Sequence, residues 1–277
     1  MRLGANIRAT HSPEEWIAEL KSKGYRAAYC PLDVDASDAL IAEYRQAAVE
    51  NDIVIAEVGG WSNMLSPSPE LRARNVERNI RCLMLADAIG ARCSVNVSGN
   101  PCSDSAWDKC FPDFDGDAAY ERVVRTAQHI IEQAAPRSAA FTIECMQWMI
   151  PDSIESYERL LRDVDSPHFG VHFDAVNLIN SPSRYVHNGE YITRFIERLG
   201  AHIRSCHLKD VIMRSDMLVH IEETLAGTGV LDYGALLGGI NALDPDIPMM
   251  LEHLPDLESY DRAAAYVRAQ AAQLGIE

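Results

Sequence analysis

Three carboxylates and one imidazole end four successive apolar segments in the second half of the chain. In chain order they are Glu144, Asp174, His207 and Glu252. Oxygen ligands with one imidazole and no thiolate suit Mn²⁺, Mg²⁺ or Co²⁺ and also accept Zn²⁺, whereas structural zinc sites usually contain cysteine. Clustered carboxylates repel one another unless a cation neutralises them. We therefore predict that these four residues bind one divalent metal ion, with Mn²⁺ favoured.

The positions of apolar neighbours support a shared site. A strand places alternate side chains on opposite faces, so when Glu144 points to one face, Ile143 and Cys145 point to the other. The other three segments show the same alternation. Each residue alone would suit a salt bridge, a helix cap or a core histidine, but four successive matches favour one metal centre. His172 shares the direction of Asp174 one layer deeper, and we expect it to be a buried, hydrogen-bonded core histidine.

Strand-like and helix-like segments alternate along the whole chain. The eight predicted strands comprise residues 3–7, 27–32, 54–58, 92–97, 141–146, 170–176, 204–209 and 249–253. The first of the eight predicted helices begins after Ser12. The other seven comprise residues 38–49, 66 or 68 to 89, 117–135, 153–162, 190–199, 233–241 and 260–274. Serine-proline pairs at the helix starts and Gly90 after the third helix are typical capping signals.

Strict alternation of this kind predicts an α/β fold in which parallel strands are joined by right-handed crossovers. Eight units close into a (β/α)8 TIM barrel, which we predict as a single domain over residues 1–277. An open doubly wound sheet is disfavoured because no glycine-rich nucleotide-binding fingerprint occurs. Reactive groups of such barrels lie at the strand carboxyl ends, which would bring the four polar residues to one mouth.

Composition excludes several classes of partner. The formal net charge of −16 repels phosphate backbones, so we expect no nucleic-acid partner. No apolar run is long enough to cross a membrane, and the first residues show no targeting segment. The seven cysteines are odd in number and form no CxxC pair, which indicates reduced thiols. We therefore expect a cytoplasmic protein without a membrane partner.

The strand ends and the segments after them resemble those of the sugar-phosphate isomerase/epimerase superfamily, the xylose isomerase-like barrels. The matching segments are IE at 143–144, FDAVN at 173–177, HLKD at 207–210, GTGVLDY at 227–233 and LEH at 251–253. Their order and spacing cover essentially the whole chain.

The resemblance implies a carbohydrate substrate and a metal-dependent epimerase or isomerase. Glu144, Asp174, His207 and Glu252 would bind the metal, and the two glutamates would also be the catalytic acid and base on opposite faces of the substrate. Removing a proton next to a carbonyl requires a nearby base and a group that stabilises the developing enediolate oxygen.

Further candidate residues follow strand ends or lie in the long connection at 98–117, whose aromatic residues Trp107, Phe111 and Phe114 we expect to pack over the mouth. Lys209 and Arg214 would stabilise enediolate or phosphate oxygens. Asn177 stands where free-ketose epimerases of this superfamily often have a histidine. The predicted substrate contacts are His11, Glu57, Trp61, Trp107, Asn177, Lys209 and Arg214.

Alternatives to the epimerase remain open at this level. A lyase of the same superfamily would use the same metal and base to dehydrate a keto-polyol or cleave a 3-keto-glycoside. A non-catalytic carbohydrate-binding barrel is a third interpretation. Hydrolysis of the endonuclease IV type is disfavoured, because it needs more histidines and a basic groove. For assembly, a homodimer or homotetramer is left open, since the apolar stripe at 192–199 is expected to pack an outer helix onto the barrel.

Overall fold

The computed structural model describes residues 1–109 and 116–276. Over these residues the strands are β1 (Arg2–Ala5), β2 (Ala27–Ala28), β3 (Val54–Ile55), β4 (Glu57–Gly59), β5 (Cys93–Asn96), β6 (Ala140–Glu144), β7 (Phe169–Asp174), β8 (Ile203–Leu208), β9 (Asp210–Met213), β10 (Ile221–Thr224) and β11 (Pro248–Leu251). The α-helices of the same part of the chain are α1 (Pro13–Ser22), α2 (Asp38–Glu50), α3 (Pro69–Ile89), α4 (Asp117–Ala134), α5 (Ile154–Val164), α6 (Pro182–Val186), α7 (Asn188–Leu199), α8 (Tyr233–Leu243) and α9 (Leu257–Gln273).

Parallel strands curl into a barrel. In the described residues one sheet runs in the order β1-β11-β8-β7-β6-β5-β4, and β2 pairs with β3. Ala56 separates β3 from β4, and its N–H donates to the carbonyl oxygen of Ala28 at 2.8 Å, so β3 and β4 are two parts of one barrel strand beside β2. The N–H of Arg26 donates to the carbonyl oxygen of Leu3 at 2.9 Å. This contact links β2 to β1 and continues the ring.

The predicted alternation of strands and helices is confirmed. Apolar strand residues face the helix layer, as Phe173 of β7 shows by stacking on Phe195 of α7 with ring centroids 4.2 Å apart. Helix starts follow the predicted caps: Ser12 accepts from the N–H of Glu15, and Ser68, the second of the two candidates, caps α3 by accepting from the N–H of Leu71. Gly90 ends α3 with a φ of 82°, a left-handed conformation that glycine adopts without strain.

A β-hairpin formed by β9 and β10 follows β8. The sequence analysis did not predict this hairpin. Asp210 anchors the chain behind it, because its carboxylate accepts from the N–H groups of Gly227, Gly229 and Leu231 at 2.9–3.0 Å. A side chain at position 229 would collide with Asp210, so only glycine fits there. The HLKD and GTGVLDY segments are therefore joined by hydrogen bonds from one aspartate.

Other predictions concern membrane-spanning helices, the cysteine thiols and the aromatic residues of the long connection. No described helix is long and apolar enough to span a membrane. The structure contains free thiols at five described positions, as expected: Cys30, Cys82, Cys93, Cys145 and Cys206. Cys110, Phe111 and Phe114 lie outside the described residues, so the packing predicted for the two phenylalanines stays a prediction.

Candidate active site

The four predicted metal ligands meet at the carboxyl-terminal end of the barrel strands. Glu144 and Asp174 are the last residues of β6 and β7. His207 lies in β8, and Glu252 directly follows β11. One donor atom from each residue lies within 4.8 Å of the donor atoms of the other three. All four side chains are buried, so the structure places a concentrated set of charges away from water.

His207 is the centre of this cluster. Its Nδ1 lies 2.9 Å from Oε1 of Glu144, 3.0 Å from Oε2 of Glu252 and 3.9 Å from Oδ2 of Asp174. Its other ring nitrogen, Nε2, lies 3.1 Å from Oε1 of Glu57 on the opposite side. The imidazole therefore faces the three-carboxylate cluster with one nitrogen and a fourth, deeper carboxylate with the other.

The donor set fits a divalent cation. Burial raises the pKa of Asp174 to about 6, although Lys209 opposes this shift. The Oδ2 atom of Asp174 is buried without a well-directed hydrogen bond among the described residues. Carboxylate oxygens held this close repel one another unless positive charge lies between them. Three carboxylates and one imidazole are ligands that Mg²⁺, Mn²⁺, Co²⁺ and Zn²⁺ accept.

The ammonium of Lys209 supplies part of the positive charge. Its Nζ lies 2.9 Å from Oδ2 of Asp174, 2.6 Å from Oε1 of Glu252 and 3.2 Å from Oε2 of Glu223. Burial by itself lowers the pKa of this amine, but the surrounding carboxylates raise it well above the usual range. Lys209 is therefore a buried, permanent cation beside the cluster.

A second polar layer lies beneath His207. The carboxylate of Glu57 is 2.7 Å from Nε2 of His172 and accepts from the hydroxyl of Ser205 at 2.9 Å. His172 is completely buried, as expected for a hydrogen-bonded core histidine. Burial raises the pKa of Glu57, but the two histidines outweigh it and hold that pKa far below the usual range. The carboxylate of Glu57 is thus ionised inside the barrel.

A cleft of about 510 Å³ opens over the cluster. His207 and Glu252 line its floor, and Trp61 and Trp107 line its walls with 41% and 48% of their surfaces exposed. Arg78 of α3 also lines the wall. The cleft therefore combines exposed indole rings with a charged floor, an arrangement suited to a small polar ligand with apolar faces.

The other predicted substrate contacts divide into two groups. Asn177 lies at the cluster, where its side-chain amide donates to Oε1 of Glu144 at 3.2 Å and its backbone N–H donates to Oδ1 of Asp174 at 3.0 Å. Arg214 lies on the hairpin, pairs with Glu222 at 2.7 Å and is mostly exposed. His11 is exposed, and neither it nor Arg214 lines the cleft as the described residues define it.

The sequence analysis did not identify three residues of the site, which are Tyr29, His253 and Glu223. Tyr29 lines the cleft, with its ring centroid 6.4 Å from that of His207. His253 also lines the cleft, and its Nδ1 lies 2.9 Å from Oε2 of Glu223. Its φ of 55° is unusual for a residue other than glycine, and strained backbone is frequent at functional sites. Its position directly after Glu252 could have indicated it, whereas Glu223 lies on the hairpin that no pattern predicted.

Comparison with known families decides the relationship. The family model described as the xylose isomerase-like TIM barrel matches residues 17–270. The chain belongs to this family. Its resemblance to the superfamily in sequence is thereby confirmed. A search of curated proteins finds no match to the chain.

Several solved structures show the same fold. D-psicose 3-epimerase from Clostridium cellulolyticum H10, determined with D-tagatose, superposes with a TM-score of 0.71 at 15% identity over 100% of both chains. The 3-keto-D-glucoside 4-epimerase from E. coli gives a TM-score of 0.68 at 14% identity over 97% of this chain and 99% of that one. A xylose isomerase-like barrel protein from Mycobacterium smegmatis in complex with magnesium gives 0.67 at 15% identity over 96% and 90%.

Proposed function

We propose that the protein is a divalent-metal-dependent epimerase or isomerase of a sugar or sugar phosphate. The observation that carries this proposal is the convergence of Glu144 and Glu252 on the same nitrogen of His207, which lines an open cleft together with Glu252. Two epimerases of sugars among the similar structures support the choice of substrate class. Glu144, Asp174, His207 and Glu252 would hold the ion.

The two glutamates approach the site from different sides. Glu144 ends β6 and Glu252 follows β11, and β7 and β8 lie between them in the sheet. A sugar between the two carboxylates would lose a C–H proton next to its carbonyl to one of them, and the C–H electron pair would form the enediolate. Return of a proton from the other glutamate, which must begin as a carboxylic acid and becomes a carboxylate, to the opposite face would invert the carbon. A bound divalent cation would supply Lewis acidity that stabilises the developing negative charge on oxygen.

Neighbouring groups set the charge of Glu252 and the orientation of Glu144. Burial raises the pKa of Glu252, but His207 and Lys209 outweigh burial and lower that pKa well below the usual range. This effect keeps Glu252 ionised and ready to accept a proton. The amide of Asn177 donates to Oε1 of Glu144 and fixes the direction of that carboxylate. We therefore propose that Lys209 helps to keep Glu252 ionised and that Asn177 orients Glu144, in addition to the contacts with substrate predicted for both residues.

The cleft walls support a carbohydrate as the ligand. Indole rings offer flat apolar surfaces to the C–H faces of a sugar, and Trp61 and Trp107 present such surfaces. Cavities of roughly 300–1,000 Å³ hold small organic ligands, so a cleft of about 510 Å³ has room for more than one sugar ring. Arg78 and His253 are the cationic residues on its wall that would meet a phosphate or a hydroxyl.

His253 favours a lyase as the second candidate. Its Nε2 lies 3.6 Å from Oε2 of Glu252, and the hydrogen bond to Glu223 raises the pKa of its imidazole. A protonated imidazole at this point could give a proton to a leaving hydroxyl or glycosidic oxygen after Glu252 or Glu144 has removed the C–H proton. The products would be water or an alcohol and an unsaturated ketone from a keto-polyol or a 3-keto-glycoside.

One experiment separates these functions. Ketoses, ketose phosphates, keto-inositols and 3-keto-glucosides are incubated in D₂O with the protein and Mn²⁺, and proton NMR follows deuterium uptake and product formation. Epimerisation or isomerisation gives deuterium at the carbon next to the carbonyl with no loss of water, whereas a lyase gives an unsaturated product. Metal uptake and ligand binding without exchange by any substrate would contradict both and support a binding protein.

A further inference from the structure

We infer that Glu57 is a positioning residue that fixes the proton of His207 on Nε2, so that Nδ1 presents its lone pair to the metal cluster. The inference rests on the metal site of the proposed function and gives Glu57, which also lines the cleft, a role beyond its predicted contact with substrate. Glu57 lies in β4, on the side of His207 away from Glu144 and Glu252. It is 2% exposed, as its position beneath the imidazole requires.

The contacts of Glu57 define the proton positions around it. Oε1 lies 3.1 Å from Nε2 of His207, while Oε2 lies 2.7 Å from Nε2 of His172 and 2.9 Å from the hydroxyl of Ser205. Three groups that can donate surround the two oxygens of Glu57, and the carboxylate accepts a hydrogen bond from each of them. His207 therefore carries a proton on Nε2, and in its neutral form Nδ1 is unprotonated. That tautomer is the one that can donate an electron pair to an ion beside Glu144 and Glu252.

Glu57, His172 and His207 also satisfy the distances of a metal site by themselves. The hydrogen bonds decide against that interpretation. Both histidines direct the same type of nitrogen, Nε2, at one carboxylate at hydrogen-bond distance, and the Ser205 hydroxyl uses the oxygen that His172 shares. Because both Nε2 atoms donate to Glu57, neither of these nitrogens has a lone pair with which to bind an ion among the three residues. The trio is a hydrogen-bonded support for the cluster above it.

Replacing Glu57 with glutamine would move the preferred proton position of His207 from Nε2 to Nδ1. The amide keeps the size of the side chain but offers one oxygen and one NH₂ group, and an NH₂ group cannot accept from the N–H of His172 or His207. The amide oxygen would stay with the two donors His172 and Ser205, so the NH₂ group would face His207. A buried donor facing another donor is costly, and His207 would relieve the conflict by moving its proton to Nδ1 and accepting at Nε2. An Nδ1 that carries a proton is not a ligand. Mutations of such supporting residues typically weaken metal affinity by about 10- to 100-fold.

The test compares wild type, Glu57→Gln and Tyr157→Phe by calorimetric titration of the full-length metal-free protein with Mn²⁺. Tyr157 is a matched control, because its buried hydroxyl donates to backbone carbonyls of β6 and β7 and its loss costs stability without removing a partner of the His207 ring. We expect Glu57→Gln to bind Mn²⁺ about 10- to 100-fold more weakly and the control to bind as wild type. Equal affinity of Glu57→Gln and wild type would overturn the inference.

Ring nitrogen signals of ¹⁵N-histidine give a second readout that loss of stability does not move. In the wild type, titration with diamagnetic Mg²⁺ should shift Nδ1 of His207 and leave Nε2 protonated, and a His207→Gln sample identifies the signals. In Glu57→Gln the proton should be found on Nδ1. If Mg²⁺ shifts Nε2 in the wild type, Glu57 does not set the tautomer, and this result holds even if the variant fails to fold. If the wild type takes up neither ion, the proposed metal site fails instead.

Discussion

The ammonium of Lys209 lies 2.6 Å from Oε1 of Glu252. The other oxygen of that carboxylate, Oε2, lies 3.0 Å from Nδ1 of His207. Glu252 is therefore held between a permanent cation and the imidazole. Because the same ammonium lies 2.9 Å from Asp174, it neutralises part of the charge that the proposed metal ion would also neutralise.

Lys209→Met should make the protein more dependent on metal for its stability. Removing one partner of a buried ion pair costs about 3–5 kcal/mol, since the carboxylates of Asp174 and Glu252 lose their counter-charge. Added Mn²⁺ would restore much of that charge. We therefore expect a lower Tm than wild type in a chelator and a larger rise in Tm on adding Mn²⁺, measured by calorimetry. Lys21→Met, at an exposed lysine, is the control. An equal Mn²⁺-induced rise in all three proteins would contradict this account.

Glu144→Gln and Glu252→Gln should each lower turnover by more than about 100-fold, because each removes a proposed proton acceptor or donor. The measurement is deuterium exchange on the substrate found in the screen, at saturating Mn²⁺ and with the bound metal quantified. Glu222→Gln is the control, since Glu222 is a glutamate on the hairpin that pairs with Arg214 outside the cluster. Near-normal exchange by either of the first two variants would remove that residue from the acid–base pair.

His207→Ala should reduce the amount of metal retained after gel filtration. Its Nδ1 lies within 3.0 Å of two carboxylates of the cluster, and no other imidazole belongs to the described four-residue set. Elemental analysis of the purified protein measures the metal-to-protein ratio, with His129→Ala as an exposed histidine control. A ratio equal to that of wild type would show that His207 is not a ligand.

The barrel and its four-residue cluster could be predicted because both depend on local pattern. Each strand is buried on both faces, so its apolar character persists in sequence, and a polar residue at its end stands out. Glu144 and Asp174 were located in this way. Since parallel strands all finish at one end of the barrel, correct strand ends were sufficient to place their side chains together.

The roles of deeper and hairpin residues could not be predicted in the same way. Glu57 has a strand-end position like that of a substrate contact, but its partners Ser205 and His172 are more than 100 residues away in sequence. Glu223 reaches Lys209 through a hairpin whose strands have little apolar character. The ion pair of Glu223 with Lys209 depends on contacts across the mouth of the barrel, which the periodicity of the sequence does not predict. Arg214 was expected near the mouth, and the hairpin directs it to Glu222 instead.

Asp87 gives a prediction about pH and folding. It lies in α3 and accepts from the backbone N–H groups of residues 137–139 before β6. Burial raises its pKa, but these N–H groups outweigh burial and lower the pKa to about 2. A folded-state pKa below the unfolded value means that the stabilisation is complete above about pH 4 and is lost as the pH falls toward 2. The expected contribution at neutral pH is about 1–2 kcal/mol.

Asp87→Asn should therefore be less stable than wild type at pH 7, and the difference should shrink between pH 4 and pH 3. Urea unfolding at each pH measures the free energy of unfolding of both proteins. Glu132→Gln, at an exposed carboxylate of α4, is the control and should show little difference at any pH. A difference between Asp87→Asn and wild type that stays constant down to pH 3 would show that the charge of Asp87 is not responsible.

Trp61 should contribute to substrate binding rather than to chemistry. Its indole lies over Gly59, where any larger side chain would collide with the ring nitrogen, and its ring centroid is 6.3 Å from that of His207. Contact between an indole and a sugar face is made equally before and during proton transfer. Trp61→Ala should therefore raise KM with little change in kcat. An interaction of about 0.5–1.5 kcal/mol corresponds to a rise in KM of up to about tenfold.

Two comparisons sharpen this test. Trp61→Phe keeps a flat apolar ring and should recover much of the lost affinity, whereas Met84→Ala removes an exposed apolar side chain on α3 outside the cleft and should change neither constant. If Trp61→Ala instead lowers kcat and leaves KM unchanged, the indole acts on the reacting groups, most directly through the neighbouring imidazole of His207. A platform for the sugar ring would then have to be sought at Trp107, which also lines the cleft.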